Sequence, residues 1–406
     1  MPTSEIPQGP AAAPTVYRGS GAAISLSLAA RVALDVLWFV PGLGPLATGA
    51  LLGGLFGRAL TNIMAAPVRG PIGPIGWIGL SFGAWVALAV LRDPGSGWAW
   101  VYAGHYVGPL IVAAAVWVER PSPRGLFGPA LLAWLGVLGL GLLQGSAGVV
   151  VLHGWPRLVG AHGNLHTLAA GLAVLTPLAA TLAATATSRR ERRLGWAIAI
   201  LAGTALGLTF VRTAWIWASV TGVVSLVALR RLRAAGGFVG LGTMLALASG
   251  RFSTLLRAAA GEAPEGGWGK LGSSRIEIWQ HAVQDFVAAD LVTWGFGAGL
   301  GGHLGVYRHF DPHSEVLALV WQLGLPGLGL VVALWGAIGL ELARRAYRQP
   351  TPWAALALGL WAGAMVTAPL SNDLVTRTTA SWMTWACWAV ALAGAPATAR
   401  TPPPPV

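Results

Sequence analysis

Three positions carry side chains able to do chemistry at places where chains ordinarily put something blander. His313 follows Asp311-Pro312 and precedes Ser314-Glu315 at the head of a long apolar run. An imidazole at such a junction can take a proton from a hydroxyl as a general base; capping the helix that follows is the structural alternative. Arg275 lies inside Ser274-x-x-Glu277, which reads as a capping box opening a helix. A cation in that first turn opposes the helix dipole by roughly 0.3–1 kcal/mol. A bound anion would reverse the sign, because free N–H groups and the guanidinium would converge on it. The alternative is an exposed arginine paired with Glu277 or with a lipid phosphate. Arg212, in LTFVRTAWIWAS, has apolar residues on both sides. Burying a guanidinium at the centre of a bilayer costs several kcal/mol, so Arg212 must snorkel to an interface or face a polar cavity.

Other combinations are weaker. His281, His303 and His309 share one segment with His313 but lack HExxH-type ligand spacing, so no metal is expected. Cys387 is the single cysteine, which excludes a disulfide framework and a cysteine-based metal site. Gly297-x-Gly299-x-x-Gly302 matches a dinucleotide fingerprint as a string, but no βαβ unit surrounds it. It is expected to be a turn that lets backbone approach a ligand or a helix, and no nucleotide or other cofactor is expected. Arg31 and Asp35, four apart in an apolar segment, can pair on one helix face. Trp215, Trp217, Trp382, Trp385 and Trp388 read as packing or interfacial residues.

The elements that must position these groups follow from composition. Of 406 residues, 55% are hydrophobic and 10% are charged, with a mean hydropathy of +0.65. Soluble domains carry about 25% charged residues, so this chain lacks the surface of a water-soluble enzyme. A β-barrel would alternate every second residue over segments of about ten, and no such pattern is present. The expectation is an all-α polytopic integral membrane protein. Apolar stretches near 22–40, 43–63, 72–91, 99–118, 125–145, 164–187, 194–211, 212–229, 235–250, 314–343, 352–370 and 374–394 give about 12 spans. The tenth stretch is expected to break near Gly324-Leu325-Pro326-Gly327.

The net charge is +12, and the only lysine is Lys270. The arginines cluster between apolar stretches rather than on an aromatic-interleaved surface, which argues against nucleic acid and for positive-inside orientation. With the N-terminus inside, fifteen arginines fall on cytoplasmic segments, from Arg18 and Arg69 through Arg189–Arg193 to Arg344, Arg345, Arg348 and Arg400. The resulting organisation is a tail at 1–21 without signal-peptide character and spans over 22–250. An outside loop follows at 251–312, then spans over 313–395 and a tail at 396–406. A shorter outside loop covers about 146–163. The long loop contains IEIWQHAVQDFV, whose Ile276, Trp279, Val283, Phe286 and Val287 recur at helical spacing. That helix is expected to lie on the membrane surface or to roof the spans.

The order of these pieces resembles the O-antigen ligase/polymerase superfamily over roughly residues 160–345. GAHGNLHTLAAGLAVLTPL resembles the family's Gly-x-x-Asn segment, and VRTAWIWAS its Ser-Arg-x-x-Trp helix, with Val211 in place of the small polar residue. SSRIEIWQHAV, WGFGAGLGG and PHSEVLALVWQLGLPGLGL resemble the Arg-x-x-x-Trp, Gly-x-Gly, His-Asn/Ser and Glu-x-Gly-x-x-Gly series that closes the large periplasmic loop, with Gln322 where Glu is common. The resemblance implies a GT-C-like, metal-independent, inverting glycosyltransferase in the bacterial inner membrane. Its donor would be a glycan on undecaprenyl diphosphate, and its acceptor lipid A–core (ligase, favoured) or another glycan (polymerase). It assigns the diphosphate to Arg212 and Arg275 and the base to His313. Guanidinium forks suit a departing diphosphate because they stay charged and bind bidentately. Arg157 and Arg308 are secondary anion candidates, and Asp311 or Glu315 could orient His313. A secondary transporter is the alternative from another class; it predicts internal repeats and midplane charges, whereas the charges here gather at span ends.

Overall fold

The computed structural model describes residues 21–36, 43–65, 73–92, 97–143, 149–152, 155–158, 165–209, 211–236, 275–301, 313–371 and 378–393. The helices are α1 (Ala22–Val36), α2 (Leu43–Ala65), α3 (Pro74–Arg92), α4 (Gly97–Glu119), α5 (Pro123–Leu143), α6 (Leu165–Ala184), α7 (Arg189–Thr209) and α8 (Arg212–Ala228). After them come α9 (Arg275–Val287), α10 (Leu291–Phe296), α11 (Glu315–Arg348), α12 (Pro352–Thr367) and α13 (Thr378–Ala393). Among the described residues, α3, α4, α6, α11 and residues 123–140 of α5 are long and apolar enough to cross a membrane. The chain is therefore a helical membrane protein. The division of 194–229 falls between Thr209 and Arg212, and the ninth stretch, from Gly237 on, lies outside the described residues.

One segment differs from expectation. The 146–163 region is more than a connecting loop: β1 (Val149–Leu152) and β2 (Trp155–Leu158) pair antiparallel, with Val150 opposite Arg157. The valine run that reads as apolar is β-branched, and it is followed by Gly154, the composition of a tight hairpin.

Small residues set the helix contacts, as expected where apolar collapse gives no net drive between helices. Gly359 and Gly363 of α12 back directly onto Thr221 and Trp217 of α8, and the Ser225 hydroxyl donates to Ala355 O at 3.1 Å. The two helices thus run antiparallel in fixed register. Trp217, Trp382 and Trp388 are buried, as packing residues should be.

Arginines mark one end of the bundle. Arg58 pairs with the buried Glu119, Arg124 reaches Thr185 O and Glu191, and Arg345 joins Glu341 at 2.8 Å and Ala391 O at 3.0 Å. The opposite end carries Arg92, Arg212, the α9–α10 segment and the start of α11. Arg31 is buried and its backbone carbonyl accepts from Thr379 at 3.4 Å; the side chain of Asp35 lies outside the described residues.

The long helix α11 does break where glycine and proline predict. Gly324 has φ +69 and ψ −176, and Pro326 lies where a new helix has an unused N–H position. The break frees carbonyls among the buried residues Trp321, Gln322 and Leu323, and protein groups meet them. Ala298 N–H donates to Trp321 O at 2.7 Å, and Trp85 Nε1–H donates to Leu323 O at 2.9 Å. Gly297, at φ +74, sits against Gln322, and a methyl on Gly324 would stand 2.8 Å from backbone atoms of Gly295, Phe296 and Gly297. The glycine-rich stretch is thus the turn that lets backbone approach a helix. Gly297→Ala should lower stability by about 2 kcal/mol or more, combining left-handed strain with overpacking. The measurement is thermal unfolding in detergent, where an unchanged transition would contradict the contact.

Candidate functional site

The site is built on a turn that sequence reading passed over. Helix α12 ends at Thr367, and Pro369 prevents its continuation. Leu370 and Ser371 N–H both fold back to Thr367 O at 2.8 Å. This leaves carbonyls at a helix C-terminus, which carries partial negative charge and needs donors. Two of the expected site segments supply them. Arg275 Nη1 donates to Leu370 O at 2.6 Å. Glu315 N–H donates to Ala368 O at 2.8 Å, with Ser371 O at 3.3 Å. The first turns of α9 and α11 therefore meet on one four-residue turn.

This contact revises the account of Arg275. The cation is unfavourable at the start of its own helix but favourable at the end of α12, so a protein carbonyl meets part of the demand that sequence alone assigned to an anion. Its anchored Nη1 fixes the guanidinium. Ser274, the expected cap, lies outside the described residues.

His313 is half-buried and adopts φ +48. Arg120 and Arg230 also have positive φ, but both follow helices, where a left-handed residue closes the last turn. His313 precedes one, and a non-glycine residue held in this region stores strain of order 1–3 kcal/mol. The cap of α11 is Ser314, whose hydroxyl accepts from Leu317 N–H at 3.4 Å. The structural alternative for His313, helix capping, belongs to its neighbour. Glu315 is buried at the first helical position of α11.

Arg212 is exposed and opens α8, whose N-cap Val211 offers no side-chain acceptor. Continuing the register of Trp217 with Gly363 and Thr221 with Gly359 by about one turn brings Arg212 level with the Ala368 end of α12. Arg212, Arg275 and the His313–Glu315 junction thus occupy the same end of the bundle around α12. Arg157 lies on β2 with its side chain undescribed, and Arg308 and Asp311 lie outside the described residues. Of the other loop histidines, His281 is exposed on α9, and His303 and His309 lie outside the described residues.

Arg92 is a contributor that its residue type and spacing did not single out. Its Nη1 donates to Phe296 O at 3.1 Å and Gly297 O at 3.2 Å, and its guanidinium lies 5.4 Å from the Phe296 ring centre. Beside it, Asp290 caps α10 by accepting from Thr293 N–H at 2.7 Å. That bond holds the Asp290 carboxyl below its usual range, with a smaller contribution from the Arg92 charge. Arg92 and Trp85 together hold the far end of the α9–α10 segment while Arg275 holds its beginning. No protein-family model matches this chain, and no curated protein matches it significantly.

Proposed function

We propose that the chain is a membrane glycosyltransferase that moves a glycan from undecaprenyl diphosphate to an acceptor hydroxyl, without metal and with inversion. The observation that carries the reading is the shared α12 turn, on which Arg275 and the His313–Glu315 junction meet at the Arg212 end of α8. That end is the water-facing periplasmic one in this reading. The arginine-rich ends are cytoplasmic, with both termini on that side of the bacterial inner membrane and about 12 spans in a GT-C-like arrangement.

In the proposed reaction the acceptor oxygen attacks the anomeric carbon from the face opposite the diphosphate. The carbon–oxygen bond to the diphosphate breaks, and its electron pair leaves on phosphate oxygen. Arg212 and Arg275 bind the departing charge with fixed donors, which need no reorganisation as charge develops. His313 takes the acceptor proton. Ligation to lipid A–core is favoured over repeat-unit polymerisation because the strong motifs gather in one segment and the other outside loops are short. A secondary transporter of the broken-helix type would offer unwound carbonyls to an ion. Here Trp321 O and Leu323 O are already bonded by Ala298 and Trp85, which favours the enzyme.

The test is incubation of purified protein with a lipid-diphosphate oligosaccharide and separate acceptors. A product on lipid A–core supports ligation, a ladder of longer lipid-linked glycans supports polymerisation, and no transfer to any acceptor counts against both. Activity is expected to survive EDTA in the same assay. Loss that is restored by a divalent ion would overturn the metal-free mechanism.

A further inference from the structure

We infer that residues 291–301 form a re-entrant element that dips below the outer ends of the spans. Its apolar edge, continuous with one side of α9, lies against the acyl chains of the surrounding leaflet. The inference holds whatever reaction the protein catalyses.

Two independent rulers give the depth. Gly297 packs against the backbone of Gln322 and Leu323, seven and eight residues after the start of α11, or about 11–12 Å at the helical rise. Phe296 stacks on Trp85, with ring centres 5.5 Å apart and planes within 6°. Trp85 lies seven residues, about 11 Å, before the last residue of α3. Irregular backbone is tolerated at such depth only where its polar groups are met by protein. Around the turn they are: Gly297 N–H bonds to Thr293 O at 2.8 Å and Ala298 N–H to Trp321 O at 2.7 Å, while Phe296 O and Gly297 O accept from Arg92.

The side chains give the partner. Helix α9 buries Ala282 and Phe286, and the latter packs against Trp321 and Val320 of α11. A second apolar arc beside that face, Val283 and Val287, is exposed, and the exposure continues through Leu291 (85%), Val292 and Phe296. Gln280, His281, Gln284 and Asp285 occupy the remaining arc and are also exposed. The boundary between apolar and polar surface therefore runs along the helix axis, as in helices lying in a membrane interface. Below it, Leu88 and Leu91 of α3 and Leu325 and Val332 of α11 are exposed. Helix α3 is the least buried of the candidate spans, so this is the surface it turns to lipid. Arg92, at its end, ties the re-entrant turn to that same surface. Continuity with the lipid-facing strip selects the leaflet as occupant over a second protein.

The experiment uses full-length protein carrying Cys387→Ala and, one at a time, Val287→Cys, Leu291→Cys, Val292→Cys, Gln280→Cys or Gln284→Cys. Each is labelled with a nitroxide and reconstituted in phosphatidylethanolamine/phosphatidylglycerol vesicles. Collisions with oxygen should exceed those with a water-soluble nickel chelate at 287, 291 and 292, and the order should reverse at 280 and 284. Greater access to the nickel chelate at 287, 291 and 292 would place the segment in water and overturn the inference. Exclusion of both reagents there, or spectral broadening that grows with protein-to-lipid ratio, would mean a protein cover and would overturn it equally. Bimane fluorescence at the same positions, quenched by brominated lipid at 287, 291 and 292 only, is the second reading.

Discussion

Glycan transfer by the His313→Ala protein is expected to fall by about 10²–10⁴-fold, the range associated with loss of a positioned general base, while donor binding stays largely intact. The expectation comes from the junction. Ser314 caps α11 and Glu315 ties its first turn to Ala368, so His313 is spared both tasks yet is held at φ +48. Non-glycine residues held at positive φ gather at functional sites, where the strain is part of the constraint. His313→Asn separates the two roles. Asparagine tolerates the left-handed region and can make polar contacts, but its amide cannot accept the proton. A structural histidine would be rescued by asparagine; a base would not. Both variants should fold, with His313→Asn at least as stable as wild type because asparagine tolerates φ +48, and both should lose the acidic limb that a base imposes on kcat/KM. Transfer at the wild-type rate in either one would reassign the base.

Features governed by local rules were legible in the sequence. Gly324-Leu325-Pro326-Gly327 predicted the break in α11, and Arg212 opened a helix after a short interruption. The spacing of Ile276, Trp279, Val283, Phe286 and Val287 predicted helix α9 with one apolar face, of which Phe286 is buried while Val283 and Val287 are exposed. Of the two places expected for α9, packing on the spans is met by Phe286 against Val320 and Trp321 of α11; contact with the leaflet is the inference drawn above. What stayed hidden was every contact made across sequence distance. Arg275 finds Leu370 across 95 residues and Arg92 finds Phe296 across 204. Backbone carbonyls as partners leave no trace in residue type. The turn at 368–371 has no chemistry-bearing side chain except Ser371, so nothing in its composition marks it as the place where two helix starts meet. The strand pair 149–152 and 155–158 escaped for another reason: a four-residue valine-rich run cannot be told from the edge of an apolar span by periodicity, and its partner Trp-Pro-Arg-Leu carries no alternating pattern.

Arg275→Lys tests the remaining half of the mechanism, and transfer is expected to drop about 10²–10³-fold, as when one donor to a developing oxyanion is lost. Charge is conserved, so a purely electrostatic surface role predicts little change. Lysine offers a point charge on a flexible stem in place of a planar fork, and it cannot both hold Leu370 O and present a second edge to a phosphate. The loss should appear mainly in kcat, because the leaving group gains charge only as the bond breaks. Loss of the Leu370 contact alone would instead lower the unfolding temperature and leave the turnover of folded protein intact. Arg212→Lys should behave alike, and the double variant decides whether the two arginines act on one ligand. Groups that stabilise the same departing diphosphate are non-additive, as residues acting as a unit are. The double variant should therefore lose far less than the product of the single losses. Full multiplication of the two effects would mean that Arg212 and Arg275 serve separate ligands, and the shared diphosphate site around the α12 turn would have to be abandoned.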